Sequence, residues 1–110
     1  LFYEPLLSAD GTQSCASCHI QSTGFSDPSQ YSTGIDGIQG DRNAMALFNL
    51  MWSTSLNWDG SSNELEDQAF EPVINPIEMH DTWLNVSNKL NTPTTLLLIN
   101  SAGLSIDLST

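Results

Sequence analysis

Helical spacing of apolar residues predicts three main helices, at 43–52, 63–70 and 81–90. In the first, apolar side chains cover most of the circumference, so this helix is expected to be buried. The second begins at an Asn cap and is expected to end before Pro72, because the residue before a proline avoids the helical conformation. The third begins at an Asp cap. Its apolar residues form one stripe: Trp83, Val86 and Leu90.

The rest of the chain predicts one further short helix, at 15–20, and long loops. Residues 22–41 are rich in Gly, Ser and Thr, and loops of this length in a compact domain usually carry function. No segment alternates between apolar and polar residues as a strand does. The 110 residues suffice for one domain, 1–110, and the predicted fold class is all-α with long loops.

Composition excludes two classes of partner. The chain has 13 acidic and 2 basic residues and a formal charge of −11. Nucleic acids and anionic membrane surfaces are bound by clustered Lys and Arg, so neither is expected to be a partner. No apolar run approaches the roughly 20 residues of a membrane span. We therefore expect a soluble chain.

The strongest chemical motif is Cys15-Ala16-Ser17-Cys18-His19. A redox C-x-x-C needs a thioredoxin-like βαβ pattern, and a zinc site needs further ligands, of which His80 is the only other His; neither condition is met. C-x-x-C-H is the attachment pattern of c-type haem. One helical turn brings both sulfurs to the vinyl groups, and the adjacent His19 can coordinate the iron. We predict one covalent haem c.

This motif also indicates where the protein functions. Attachment of haem c takes place outside the bacterial cytoplasm, so we expect an exported, periplasmic protein. The chain begins at Leu1 rather than Met. We expect either that a leader has been removed or that the start is truncated.

The ligand on the second face of the iron is left open by these residues alone. Met79 and His80 follow a proline-rich segment on a loop that could approach the iron, whereas Met45 and Met51 are expected in the core. A protein ligand would make an electron carrier, and an open face would allow chemistry. On the same loop Glu78 could exchange protons with a peroxide, with Gln68 holding the carboxylate or the peroxide. A solvated Glu78 without a role fits equally well.

Several stretches in order along the chain resemble the bacterial di-haem cytochrome c peroxidase family, which includes MauG. They are Leu1-Phe2-Tyr3, Leu7-Ser8-Ala9-Asp10-Gly11, Ser14-Cys15-Ala16-Ser17-Cys18-His19, Arg42-Asn43-Ala44, Trp58-Asp59-Gly60 and Asn75-Pro76-Ile77-Glu78-Met79. The resemblance covers only the family's N-terminal, peroxidatic haem domain. It implies a cytochrome c-like fold, and the second haem domain of the family is not part of these residues.

The resemblance implies roles for individual residues. Cys15 and Cys18 match the haem attachment sites, and His19 matches the proximal iron ligand. Gln68 and Glu78 match a distal pair that assists cleavage of the O–O bond.

Two further residues match positions between the domains of the family. Trp58 matches a tryptophan that lies between the two haems and conducts electrons. Asn43 matches a side chain at an interdomain calcium site. One position departs from the pattern: Ile35 stands where many members carry a His that blocks the iron at rest. Since a hydrocarbon cannot ligate iron, we predict an open, water-bound site or the absence of that activation step.

The predicted function is therefore reduction of hydrogen peroxide to water, with electrons from a small cytochrome or cupredoxin delivered through a second haem domain. The resemblance also implies that homodimers are common. The alternative is a monohaem electron-transfer cytochrome in which Met79 or His80 closes the sixth position.

Overall fold

A computed structural model describes residues 1–103; residues 104–110 of the predicted domain lie outside the described part. Four α-helices are present in that part: α1 (Cys15–Cys18), α2 (Leu65–Ile74), α3 (Trp83–Leu90) and α4 (Pro93–Ser101). Single 3₁₀ turns occur at Pro5–Leu7, Gln21–Thr23 and Leu50–Trp52. Long loops connect these elements.

Within residues 1–103 there is no strand, only three isolated antiparallel bridges: Ile20 with Ser26, Thr33 with Gln39 and Leu56 with Ser62. Each bridge closes the base of a loop. The predicted all-α class with long loops is confirmed. No helix of this part is long and apolar enough to cross a membrane.

The predicted helix at 43–52 is wrong. Only Leu50–Trp52 forms a 3₁₀ turn, and Phe48, Met51 and Trp52 are 66%, 81% and 71% exposed. The apolar residues do recur at helical spacing. In this segment, however, that spacing is a coincidence, because some of the side chains line a cavity and others face solvent. The expectation that Met51 belongs to the core is therefore also wrong.

Helix α2 begins two residues later than predicted and runs past Pro72 to Ile74. A proline inside a helix costs about 3 kcal/mol, since it removes a hydrogen bond and crowds the preceding turn. Burial of Val73, which is 2% exposed, offsets part of this cost. The prediction that Pro72 ends the helix is wrong because tertiary packing outweighs the local preference.

Helix α3 confirms the predicted stripe. Val86 and Leu90 are buried, while Trp83 at the helix start packs edge-on against Phe70 with ring centroids 4.6 Å apart. Its cap is Thr82, whose hydroxyl accepts from the Asn85 amide, rather than the predicted Asp81. Helix α4 was not predicted.

A small apolar core lies behind the Glu78 loop. Its buried members come from the first 3₁₀ turn, α2, the loop after α2 and α3: Leu7, Val73, Met79, Val86 and Leu90. Cys15 of α1 packs against this cluster. The core thus joins the C-x-x-C-H segment to the loop that carries Glu78.

Candidate functional site

One cavity of about 540 Å³ brings together most of the residues singled out in the sequence. Its wall includes Cys15, Cys18, His19, Asn43, Trp58, Gln68, Glu78 and Met79. His80 is not part of this wall. The volume lies in the range of 300–1,000 Å³ that is usual for ligand and cofactor pockets.

The two thiols stand at either end of α1, a single helical turn. Ser17 Oγ accepts a hydrogen bond from the Ser14 amide at 3.0 Å, which fixes the start of that turn. Both cysteines are free and half-buried. Burial raises the pKa of each thiol. They are suited to a covalent bond with a partner inside the cavity.

His19 is oriented by two backbone carbonyls. Its Nδ1 lies 3.0 Å from the Phe25 oxygen and 2.8 Å from the Met45 oxygen. Since carbonyl oxygens only accept, Nδ1 must carry the hydrogen, and Nε2 of the neutral ring keeps a lone pair. Within residues 1–103, Nε2 makes no hydrogen bond. A ring held in this way is a typical metal-ligating histidine.

The backbone around Phe25 is unusual. Phe25 has φ of 58° directly after Gly24 with φ of 71°. Positive φ is unfavourable for a bulky residue. The turn presents the Phe25 carbonyl to His19. The strained backbone therefore helps to orient the imidazole ring.

These features fit a c-type haem. Two half-buried thiols one helical turn apart and an imidazole with a free Nε2 border the same cavity. The apolar part of the wall, which includes Leu47, Leu50 and Leu65, suits a flat hydrocarbon ring. Cys15, Cys18 and His19 are the residues that would hold the group.

Glu78 lies on the loop after α2 and is accessible from the cavity. Its Oε1 accepts a hydrogen bond from Asn75 Nδ2 at 2.7 Å. Desolvation by the surrounding protein raises the pKa of Glu78, and the hydrogen bond from Asn75 opposes the rise. A carboxyl with a raised pKa beside a cavity is a candidate for proton transfer.

The Gly-rich loop packs directly against the Glu78 loop. The Ile35 amide donates to the Glu78 carbonyl at 2.9 Å. Gly34 has no room for a side chain, since a Cβ would lie 2.1 Å from the Ile77 oxygen. Asp36 Oδ2 and His80 Nδ1 lie 2.5 Å apart and join the two loops at their exposed side. His80 is therefore engaged away from the cavity.

The remaining predicted site residues border the cavity with different partners. The Gln68 side chain makes no hydrogen bond within residues 1–103, and the bond to Glu78 comes from Asn75 instead. Trp58 is 66% exposed and its Nε1 donates to the Asn43 carbonyl at 2.8 Å. Met79 lines the cavity but is only 5% exposed and belongs to the core.

Asn43 is fixed by its amide group. Nδ2 donates to the carbonyls of Asp27 at 3.0 Å and Ser29 at 2.7 Å. Its Oδ1 makes no hydrogen bond in the described part of the chain and remains available as a ligand. No group of three or more His, Cys, Asp or Glu that could hold a metal occurs among residues 1–103.

Sequence reasoning missed two kinds of contribution to this site. The Phe25 and Met45 carbonyls act through the backbone, which no side-chain motif reveals. Asn75 could have been found, because Asn before Pro favours a turn that brings its side chain back to residues two and three positions on.

The chain is similar to proteins of one family. The sequence profile described as "Di-haem cytochrome c peroxidase" matches residues 1–98. The cytochrome c peroxidase Ccp of Escherichia coli K12 is 42% identical over 91 residues, 82% of this chain and 20% of that protein. The methylamine utilization protein MauG of Methylorubrum extorquens is 40% identical over 80 residues, 73% of this chain and 23% of that protein.

Solved structures agree. A MauG-like protein associated with microbial copper homeostasis superposes with a TM-score of 0.85 at 30% identity, over 99% of this chain and 34% of that one. The di-haem peroxidase BthA of Burkholderia thailandensis gives 0.77 at 25% identity, over 93% and 30%. The chain thus spans about a fifth to a third of the length of these relatives.

Proposed function

Since the chain belongs to the di-haem cytochrome c peroxidase family, we propose that it is the peroxide-reducing haem module of a larger peroxidase. The observation that carries this proposal is the shared cavity. Two free thiols, a histidine with an unpaired Nε2 and a carboxyl with a raised pKa border it together. The reaction is H₂O₂ + 2 H⁺ + 2 e⁻ → 2 H₂O.

Cys15 and Cys18 would hold the haem through thioethers, and His19 would bind its iron through Nε2. When bound, the haem would supply a redox-active iron for the reduction of peroxide. The carbonyls of Phe25 and Met45 draw hydrogen bonds from Nδ1 of His19. Such bonds increase the electron density of the imidazole and so strengthen its donation to the metal.

Glu78 moves the proton. Its Oε1 is occupied by Asn75, so Oε2 is the oxygen free to exchange. Oε2 accepts the proton of one peroxide oxygen and returns it to the other, which then leaves as water rather than hydroxide. The raised pKa of Glu78 brings its affinity for a proton closer to that needed near neutral pH.

Gln68 and Trp58 assist. The Gln68 amide, which has no partner within residues 1–103, orients the peroxide by hydrogen bonding. Trp58 conducts electrons towards the cavity, and its Nε1 bond to the Asn43 carbonyl fixes the indole.

In this proposal none of Ile35, Met79 and His80 would ligate a bound iron. Ile35 stands where a blocking His would be required, and its amide is bonded to the Glu78 carbonyl. His80 is paired with Asp36 outside the cavity, and Met79 is packed in the core. This arrangement supports an open peroxidase rather than a carrier with a methionine or histidine as sixth ligand.

A second haem domain would deliver the electrons. Phe48, Met51 and Trp52 form an exposed apolar segment next to the cavity-lining Leu47 and Leu50. Large exposed apolar side chains that lie close in sequence are a candidate interaction surface. The electrons come from a small cytochrome c or cupredoxin.

The setting of this reaction is the periplasm, where haem c is found in bacteria. A calcium ion between the two haem domains would use Asn43 Oδ1, with its remaining protein ligands mostly in the second domain.

Substitution Glu78→Ala in the full-length haem-loaded protein tests the function. We expect loss of peroxide reduction by a factor of about 10²–10⁴, the usual contribution of general acid–base catalysis. Haem content and the ferric spectrum should be retained. Glu66→Ala, an exposed acid in the first turn of α2, is the matched control and should keep full activity. Full turnover in Glu78→Ala would contradict the assigned role.

A further inference from the structure

Asn75 makes most of the hydrogen bonds that shape the loop that carries Glu78. It caps α2, and its amide donates to the Glu71 carbonyl at 3.1 Å. Its own carbonyl accepts from the amides of Glu78 and His80, both at 3.0 Å. Its Oδ1 accepts from the Ile77 amide at 3.2 Å. These bonds fold residues 75–80 into a tight turn.

The Asn75 side chain also makes a contact that the turn itself does not need. Its Nδ2 donates to Glu78 Oε1 at 2.7 Å, a short bond of the kind that amides make to ionised carboxylates. Both residues border the cavity. The side chain therefore performs two separable tasks: Oδ1 shapes the turn, and Nδ2 holds the Glu78 carboxyl.

We propose that Asn75 is a positioning residue for Glu78: it holds Oε1 and leaves Oε2 exposed to the cavity as the proton-carrying oxygen. This inference rests on the function proposed for Glu78. By favouring the charged form, the Asn75 bond also limits the rise caused by desolvation and keeps Glu78 able to accept a proton.

Other titratable groups act on Glu78 but stay the same when Asn75 is changed. Glu71 on α2 raises the pKa of Glu78. The charge of a protonated His19 would lower it, but that charge is absent when the neutral ring binds iron. Asp36 and His80 pair with each other at the exposed side of the loop. The charge of Glu78 raises the pKa of the Cys18 thiol. That thiol would become a neutral thioether on attachment of haem.

Two substitutions separate the tasks of Asn75. Asn75→Asp keeps an Oδ1 that can accept from Ile77, so it preserves the turn, but it puts a carboxylate against Glu78 Oε1. Two carboxylates at that distance cannot both ionise freely, so protonation of Glu78 is favoured. Asn75→Ala removes both the turn bond and the bond to Glu78. A purely structural role predicts that Asp is the milder change, whereas the positioning role predicts that it affects Glu78 at least as strongly.

The experiment uses the full-length haem-loaded protein and measures three quantities. They are the pH profile of peroxide reduction, the infrared titration of the Glu78 carboxyl assigned by difference against Glu78→Gln, and the thermal midpoint. Because Glu78 must be deprotonated to accept a proton, we expect the acid limb of the profile to move to higher pH in both variants. At a fixed pH on that limb the rate should fall about tenfold, as for loss of one charge-assisted hydrogen bond. Asn75→Asp should stay close to the parent in thermal midpoint.

Asn85→Ala is the matched control, since Asn85 Nδ2 bonds the Asp81 carboxylate at 2.8 Å away from the cavity. It should lower the thermal midpoint and leave the pH profile unchanged. An unchanged Glu78 titration in Asn75→Asp would overturn the proposal, even if Asn75→Ala fails to fold. If Glu78→Gln keeps full turnover while the titration still shifts, the function proposed for Glu78 fails and the contact with Asn75 stands.

Discussion

Gly34 lies where the Gly-rich loop meets the Glu78 loop, and its replacement by Ala tests that contact. A Cβ at this position would lie 2.1 Å from the Ile77 oxygen and 2.7 Å from the Glu78 oxygen. Normal carbon–oxygen contact is roughly 3.4 Å, so the two backbones must separate by about 1 Å. Both neighbours are main-chain atoms and cannot rotate away.

The cost has two parts. Overpacking of this kind costs about 1–3 kcal/mol. Separation of the loops also weakens the hydrogen bond from the Ile35 amide to the Glu78 carbonyl, which is worth about 1 kcal/mol. We expect Gly34→Ala to lower the free energy of unfolding by about 2–4 kcal/mol. A shift of about 1 Å at a catalytic group can cost about 10²-fold in rate, so peroxide reduction should fall by up to that factor.

Gly40→Ala in the same loop is the control. There a Cβ would lie 3.7 Å from the Ser32 oxygen, which is ordinary contact, and no strained backbone angle is involved. Its free energy of unfolding should stay within about 0.5 kcal/mol of the parent. Denaturant unfolding and steady-state peroxide reduction measure both effects. If Gly34→Ala matches Gly40→Ala in both assays, the reasoning about this loop contact is refuted.

Further predictions concern the charges and Trp58. Lys89→Met should cost about 3 kcal/mol in denaturant unfolding, because it leaves Asp81, whose side chain is 2% exposed, without its cation. Arg42→Gln should leave unfolding unchanged, since its pair with Asp59 is half-exposed. Burial opposes ionisation of Asp81, but hydrogen bonds from Lys89 and other donors hold its pKa below the usual value. The ionised Asp81 therefore stabilises the fold above about pH 4, and this stabilisation is lost as pH falls through the lowered pKa. In Lys89→Met the free energy of unfolding should depend less steeply on pH in this acid range. Trp58→Phe removes the bond to the Asn43 carbonyl and should slow electron delivery in single-turnover kinetics without changing haem content.

The sequence predicted the chemistry of the site better than its framework. Cys15, Cys18 and His19 are predicted as haem-binding residues from spacing alone, because covalent attachment of haem c sets that spacing within five consecutive residues. Glu78 and Gln68 were singled out through residue type and resemblance, and they line the same cavity as the motif. Their roles stay predictions that the substitutions above test.

The helices were harder to predict, because apolar residues in this chain line the cavity and the outer surface as well as filling the core. In the stretch 43–52, periodicity alone cannot distinguish a buried helix from a segment that lines a cofactor cavity and an outer surface. Helix α4 carried recognisable signals, since Thr92 caps it and Pro93 occupies its first turn. Its four consecutive apolar residues lack a helical stripe, which hid it from a periodicity search.

The central claim is that the cavity holds a haem c whose face opposite His19 is open to peroxide. The most direct test is the electron paramagnetic resonance spectrum of the fully oxidised full-length protein, before and after addition of one equivalent of hydrogen peroxide. The account predicts a high-spin ferric signal from the haem of this domain that disappears rapidly with peroxide, without prior reduction. A haem in this domain that is entirely low-spin, with Met79 or His80 bound to iron and no reaction with peroxide, would contradict it.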